Sequence, residues 1–370
     1  MLTAIPEVVR SAAAFVVVLG VLVFVHELGH YLAARWRGVR VEAFSIGFGQ
    51  AITSWTDRRG TVWKLAWLPL GGYVKLHGQE RPQDVPDEVR AQWVPGETFH
   101  DKPVLSRAIV VAAGPIANFL LAMVLFGLLF AALGKPYTLP VVGAVLPDSA
   151  ASRAGLQVRD EVVSIDGRAI KTFEDLQQVI STHPAQTLTM VIRRDGSDRN
   201  VSVLTESQGS GSHKTGLLGV RGGKEEYQPV SLPVALWGGV TQTWHIGVET
   251  ITGLAQMISG NRGTDELGGP LRIAQLSGQV AQLGLASLIS FIAVLSVNLG
   301  LINLFPIPVL DGGHLLFYLA EALRGRPLPA RAQEYGFRAG LALLGCMFVL
   351  ATWNDLSHLG LFRWVAGLIG

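Results

Sequence analysis

The chain has 370 residues, 49% of them hydrophobic and 16% charged, with a mean hydropathy of +0.37. Ordinary soluble domains carry about 25% charged residues, so this composition excludes one, and a net charge of +2 with no basic run leaves nothing for a nucleic acid to bind. Cys346 is the single cysteine, which excludes a disulfide framework within the chain.

Four stretches, roughly 8–30, 105–133, 284–305 and 336–354, are long and apolar enough to cross a hydrocarbon core of about 30 Å. The expected fold is a polytopic α-helical membrane protein with about four transmembrane helices, a membrane-associated β-loop and an inserted α+β domain. The first helix, within 1–36, carries an apolar run from Ala12 to Val25 that leads into His26-Glu27-Leu28-Gly29-His30. Ionisable groups inside an apolar span are costly and mark a functional site by default. On a helix His26 and His30 share one face, so they can offer two nitrogens to one zinc ion. Glu27 sits one residue round, where its carboxylate can reach a water held at the metal without being a ligand. Removal of the run as a signal peptide would discard this motif.

Residues 37–103 follow. Val41–Gly49 and Val62–Leu76 alternate in part and read as short strands with a glycine turn. Such an element enters a membrane only if its backbone is paired or lines a cavity; a small cytoplasmic cap is the equal alternative. Residues 80–101 are polar and proline-rich and read as a flexible loop. The second span, in 104–134, is interrupted by Gly114-Pro115 and carries Asn118, a polar residue that needs a partner in lipid and reads as an interhelical hydrogen bond.

Residues 135–206 look like a compact soluble domain. Val141–Val145 and Glu161–Ile165 read as strands, and Thr172 caps a helix over Phe173–Ser181 with Glu174 and Asp175 in its first turn. Thr187–Arg193 and Asn200–Thr205 flank Asp195-Gly196, a hairpin signal. In 207–283, Gln208-Gly209-Ser210-Gly211-Ser212 reads as a linker. Trp237, Val240, Trp244, Val248, Ile251 and Leu254 then recur at helical spacing, as in an amphipathic helix lying on the membrane surface. The third span, in 284–323, ends in polar Asn298 and Asn303, and 324–370 holds a loop, the fourth span and a tail.

Basic residues near the spans set orientation. Arg35, Arg37, Arg40, Lys102 and Arg107 lie between the first and second, and Arg324, Arg326, Arg331 and Arg338 between the third and fourth. Both connections therefore read as cytoplasmic, which leaves the termini and 135–283 on the other side.

A catalytic zinc has three protein ligands and an open position. Ala33 and Trp36 stand where a soluble H-E-x-x-H-x-x-G-x-x-H site has its glycine and third histidine, so the third ligand comes from elsewhere. Asn303-Leu304-Phe305-Pro306-Ile307-Pro308-Val309-Leu310-Asp311-Gly312-Gly313-His314 breaks an apolar stretch around one carboxylate. Asp311 falls on the inferred cytoplasmic side, as does the end of the first span that carries the histidines. His314 reads as a supporting group or a cavity-lining residue, outside the ligand set.

These motifs, with Gly114-Pro115-Ile116-Ala117-Asn118, Pro69-Leu70-Gly71-Gly72-Tyr73-Val74-Lys75 and the run from Ala154-Gly155-Leu156 through Ile165-Asp166-Gly167, resemble the intramembrane site-2 metalloproteases, and within them the bacterial envelope-stress proteases. The resemblance covers nearly the whole chain in family order. It implies that His26, His30 and Asp311 hold Zn2+ and that Glu27 activates water. It implies that Asn303 contacts substrate, and that Gly71, Gly72 and Tyr73 belong to a membrane re-entrant β-loop that pairs with an unwound substrate. It also implies a multi-pass protein of the bacterial inner membrane with its site toward the cytoplasm, and a PDZ-like domain in the periplasm that binds a peptide or filters by size. The implied substrates are single-pass membrane proteins, including pre-trimmed anti-sigma factors and remnant signal peptides. Two departures stand out: the length leaves room for one PDZ-like domain where some relatives have two, and Arg159 precedes Asp160 where glycine is common.

Two other classes compete. An intramembrane zinc transporter would use similar ligands but has no need of Glu27, and a non-catalytic PDZ scaffold would tolerate its loss altogether.

Overall fold

The computed structural model describes residues 7–80, 85–208, 214–223, 225–260, 263 and 268–358. The linker residues 209–213 and the tail after 358 lie outside them. The chain divides into two units, Met1–Leu129 with Leu236–Gly370, and Phe130–Ala235.

In the first unit, α1 (Glu7–Trp36) is followed by the strands β1 (Val41–Thr56) and β2 (Val62–Leu76). Both run longer than the short strands expected, because the turn between them is Asp57–Thr61: the Asp57 carboxylate accepts from the Arg59 and Thr61 amides at 2.8 and 3.0 Å. The pairing is unusual. Ala43–Ile46 lie between Val62–Leu65 on one side and Gly72–Lys75 on the other, and Val62–Leu65 also pair with Thr53–Thr56. Two strands thus make four rows, and among the described residues Gly72–Lys75 forms an edge. Phe44, 1% exposed, anchors the sheet to α1 through Phe24 and Tyr31 and stacks on Trp63 of β2.

The expected flexible loop holds a short helix, α2 (Asp87–Arg90), and its second half is tied down. Phe99 is buried and its amide donates to His77 O, while the Val94 amide donates to His77 Nε2 at 3.0 Å. Next come the long helix α3 (Val104–Leu133), then the strands and short helices of the second unit, and then the remaining helices of the first.

The second unit contains β3 (Lys135–Thr138), β4 (Val142–Val145), α4 (Ala150–Arg153), β5 (Glu161–Ile165), β6 (Arg168–Ala169), α5 (Phe173–Ser181), β7 (Thr187–Arg194) and β8 (Ser197–Leu204). After them stand β9 (Glu206–Gln208), β10 (Thr215–Leu217), β11 (Val220–Gly222) and β12 (Glu225–Gln228). Its main sheet has the order β6-β5-β7-β8. Thr172 and Asp175 form a reciprocal capping box at the start of α5. Asp195 and Gly196 both have positive φ, as the two-residue hairpin between β7 and β8 requires. Val162, Ile165, Leu176, Leu188, Met190, Ile192 and Val203 fill one core.

The segment after 206 is where the sequence reading is corrected. It is strand rather than linker where described, since β10 pairs with β9, β11 with β4 and β12 with β3, so this unit extends past the expected boundary at 206. Strands of three or four residues with glycine among them show no alternation of their own; their partners lie far away in the chain.

The remaining helices are α6 (Leu232–Ile258), α7 (Pro270–Gln282), α8 (Leu285–Leu304), α9 (Asp311–Arg324) and α10 (Ala330–His358). Among the described residues four helices, α1, α3, α8 and α10, are long and apolar enough to cross a membrane. The amphipathic helix α6, expected to lie on the membrane surface, makes close contacts with two of these helices. Its Gly239 abuts Met123 and Gly127 of α3, and Thr250 Oγ1 donates to Asn298 Oδ1 of α8 at 2.9 Å, so it packs lengthwise against two spans.

Candidate metal centre

Because α1 stays regular through its ionisable motif, His26 and His30 fall one turn apart, with their Nε2 atoms 3.2 Å from each other. The third group arrives from the other end of the chain. α8 stops at Leu304, Pro306 and Pro308 deny a helix to the next residues, and α9 restarts at Asp311. Asp311 Oδ2 lies 3.2 Å from His26 Nε2 and 3.5 Å from His30 Nε2.

That approach is held by backbone. Val309 takes φ +105°, a conformation that costs a β-branched residue about 1–3 kcal/mol and survives only where the surroundings fix it. α10 supplies part of the fixing: the Pro308 carbonyl lies where a Cβ on Gly340 would be.

The donor set suits a catalytic zinc. Each of the three residues has one ligand atom within 4.8 Å of the others. Asp311 Oδ2 is buried without a hydrogen-bond partner despite the two imidazole nitrogens beside it, as expected of an atom that shares a cation with them. Two imidazoles and one carboxylate leave a fourth position open.

Glu27 lines the same cavity and stands outside the ligand group. The Val74 amide of the edge row donates to its carboxylate. Gly72 allows this approach, since a Cβ there would lie 3.0 Å from Glu27 Cγ.

The Gly114–Asn118 run is spent on the histidines. A Cβ on Gly114 would collide with His30 Nε2 and lie 2.9 Å from His26 Cε1. One turn further toward the start of α3, the Val110 carbonyl accepts from His30 Nδ1 at 2.8 Å. Asn118 Nδ2 lies 3.1 Å from His26 Nδ1, and Ser296 Oγ of α8 donates to the Asn118 carbonyl at 2.8 Å. Asn118 does bridge helices, as the sequence reading has it, but its side chain touches a metal-site histidine, which that reading missed.

The cavity around these groups has a volume of about 1420 Å3 and is also lined by Gly72, Tyr73, Val74, Asn303 and His314. Gly71 is not on its wall; it packs under the Phe48 ring, where a side chain would collide. Arg107 and Glu321 line the cavity as a partly buried ion pair at 2.6 Å. Arg107 is the one charge in α3, whereas Glu321 shares α9 with Asp311 and Arg324 and does not stand out in the sequence. Apart from this site, the second unit has a groove of about 490 Å3 between α5 and Thr215–Val220, with Phe173, Leu176, Ile180, Leu217 and Leu218 in its walls.

The family model for peptidase family M50 matches residues 14–347. A protein of Rhizobium meliloti named a zinc metalloprotease is 45% identical over 361 residues, covering 93% of this chain and 96% of its own. Metalloprotease MmpA of Caulobacter vibrioides is 38% identical, covering 95% and 96%. Protease RseP of Yersinia pestis is 32% identical, covering 95% of this chain and 100% of its own. That last alignment runs over 456 positions against 370 residues here, so RseP holds a segment this chain lacks. Among solved structures, the PDZ domain of an SdrC-like protein from Listeria monocytogenes covers 23% of this chain and 88% of its own at 18% identity and a TM-score of 0.21.

Proposed function

The chain belongs to peptidase family M50 and is an intramembrane zinc metalloprotease, and on that premise we propose that His26, His30 and Asp311 hold its zinc ion while Glu27 is the general base. The observation that carries the assignment is the convergence of a buried, unpartnered Asp311 oxygen with two histidine nitrogens in one cavity beside Glu27.

Zinc at this donor set supplies a Lewis acid that polarises the scissile carbonyl and acidifies water. Glu27 takes the proton of the attacking water and returns it to the leaving amine, and its bond from the Val74 amide keeps the carboxylate turned toward the cavity. Substrate must be extended, because a helix hides its carbonyls in its own hydrogen bonds. The edge row Gly72–Lys75 can accept an added strand, with Tyr73 and Gly72 on the cavity wall and Gly71 supporting them from behind. Asn303 is positioned on the same wall to meet the substrate backbone.

The reading extends to a multi-pass protein of the bacterial inner membrane, with the basic connections 35–40 and 324–338 and the metal centre toward the cytoplasm and the PDZ-like unit in the periplasm. Arg35 follows His26 by about 13 Å of helix, a depth that a water-filled cavity can bridge. The substrates are single-pass membrane proteins, such as anti-sigma factors already trimmed outside or remnant signal peptides. The groove beside α5 docks or sieves their outer ends.

The test is cleavage of a truncated single-pass substrate by the purified protein in detergent, with fragment masses read by mass spectrometry. A cut inside the hydrophobic span that vanishes in Glu27→Gln, with zinc content unchanged, is the expected result. A cut that survives in Glu27→Gln would remove Glu27 from the chemistry.

A further inference from the structure

The two histidines of the metal centre differ in how their second ring nitrogen is held. His30 Nδ1 faces a backbone carbonyl, Val110 O, at 2.8 Å. A carbonyl only accepts, so the proton belongs on Nδ1 and the Nε2 lone pair is free toward His26 and Asp311. His26 Nδ1 instead faces a side-chain amide, that of Asn118, which can present either a donor or an acceptor at the same place.

Three observations describe that amide. Asn118 is completely buried. Its backbone is tied to α8 through Ser296, so the residue cannot drift away. Its Nδ2 points at His26 Nδ1, and its Oδ1 finds no donor, although buried acceptors without a partner are rare and costly. In this arrangement His26 carries its proton on Nε2, which faces the unprotonated Nε2 of His30 at 3.2 Å. A nitrogen that carries a proton has no lone pair for a cation. Turned half a rotation about its last side-chain bond, the same amide offers Oδ1 to His26 Nδ1, which moves the histidine proton there and frees Nε2.

We propose that Asn118 is a positioning residue for zinc: its amide carbonyl accepts from His26 Nδ1 and selects the tautomer in which Nε2 can ligate. The inference rests on the reading of His26 as a zinc ligand. It gives the last residue of the Gly114–Asn118 run a role complementary to that of the Val110 carbonyl, so that α3 sets the ring tautomers of both histidines.

The experiment is zinc affinity of the full-length protein in detergent, measured by competition with a chromogenic chelator, for wild type, Asn118→Asp, Asn118→Leu and His26→Ala. Loss of a partner behind a ligating histidine weakens metal binding about 10–100-fold. Asn118→Leu should show that loss. Asn118→Asp keeps an acceptor and should bind as tightly as wild type or tighter. If Leu impairs folding, Asn118→Ala makes the same comparison, and the unfolding midpoint of the metal-stripped variants separates folding from binding. Wild-type affinity in Asn118→Leu, or equal weakening in the Asp and Leu variants, would overturn the inference. Wild-type affinity in His26→Ala would overturn the ligand reading beneath it.

Discussion

Around the metal centre, the positions that fix geometry have almost no side chain: Gly114 leaves room for both imidazoles, and Gly340 receives the Pro308 carbonyl behind Asp311. In the unit Phe130–Ala235 the order is reversed, because Met190, Ile192, Leu176 and Val203 hold the sheet and α5 together by side-chain volume. Backbone held against backbone has few ways to relax, whereas a hydrophobic core loses stability by degrees. Small changes should therefore abolish the metal centre, and large ones should only weaken the second unit.

The largest expected effect tests the first half of that contrast. Gly114→Ala adds one methyl group where His30 Nε2 lies, and its zinc affinity, read by chelator competition, should fall by about 100-fold, the upper end for loss of a supporting partner. Wild-type affinity would mean that α3 can shift and that the close approach is incidental. Met190→Ala, at a fully buried position, should cost about 2–5 kcal/mol in denaturant unfolding of the second unit and leave zinc content unchanged.

Acid should act on the second unit by a route that can be followed. Burial pushes the Asp160 carboxyl up, but the Arg194 guanidinium, bonded to it at 2.7 Å, and the Gln157 amide outweigh burial and hold it below its ordinary range. A carboxyl lowered in this way binds its proton more weakly folded than unfolded. Its contribution is therefore complete above about pH 4 and is lost as pH falls through the lowered folded value. The unfolding midpoint of this unit should drop below about pH 4 in wild type, and Asp160→Asn should flatten that drop. The smallest effect is a gain. Arg159 has φ +77°, which costs a side chain about 1–2 kcal/mol relative to glycine, so Arg159→Gly should raise the unfolding free energy of this unit by about 1 kcal/mol.

The contrast also sorts what the sequence discloses. α5 was legible to the residue, because Thr172 and Asp175 are local signals that lie three residues apart. The two histidines proposed to hold zinc stand out for the same reason, and Asp311, proposed as the third ligand, because prolines and glycines isolate one carboxylate in an apolar stretch. The doubling of β2 around β1, the strands after 206 and the course of α6 were not, since each depends on partners distant in the chain. The departure at Arg159 was visible, but only its φ explains why glycine suits that position. Asn118 was seen as a polar residue in need of a partner, and no pattern in the sequence pairs it with His26.

The central claim is that Asp311 completes a zinc site with His26 and His30 while Glu27 acts beside it without ligating. Zinc affinity of full-length Asp311→Asn against full-length Glu27→Gln, by chelator competition at neutral pH, tests it most directly. The account predicts that Asp311→Asn loses tight zinc binding and that Glu27→Gln keeps one zinc at near wild-type affinity. Retention in Asp311→Asn, or loss in Glu27→Gln, would contradict it.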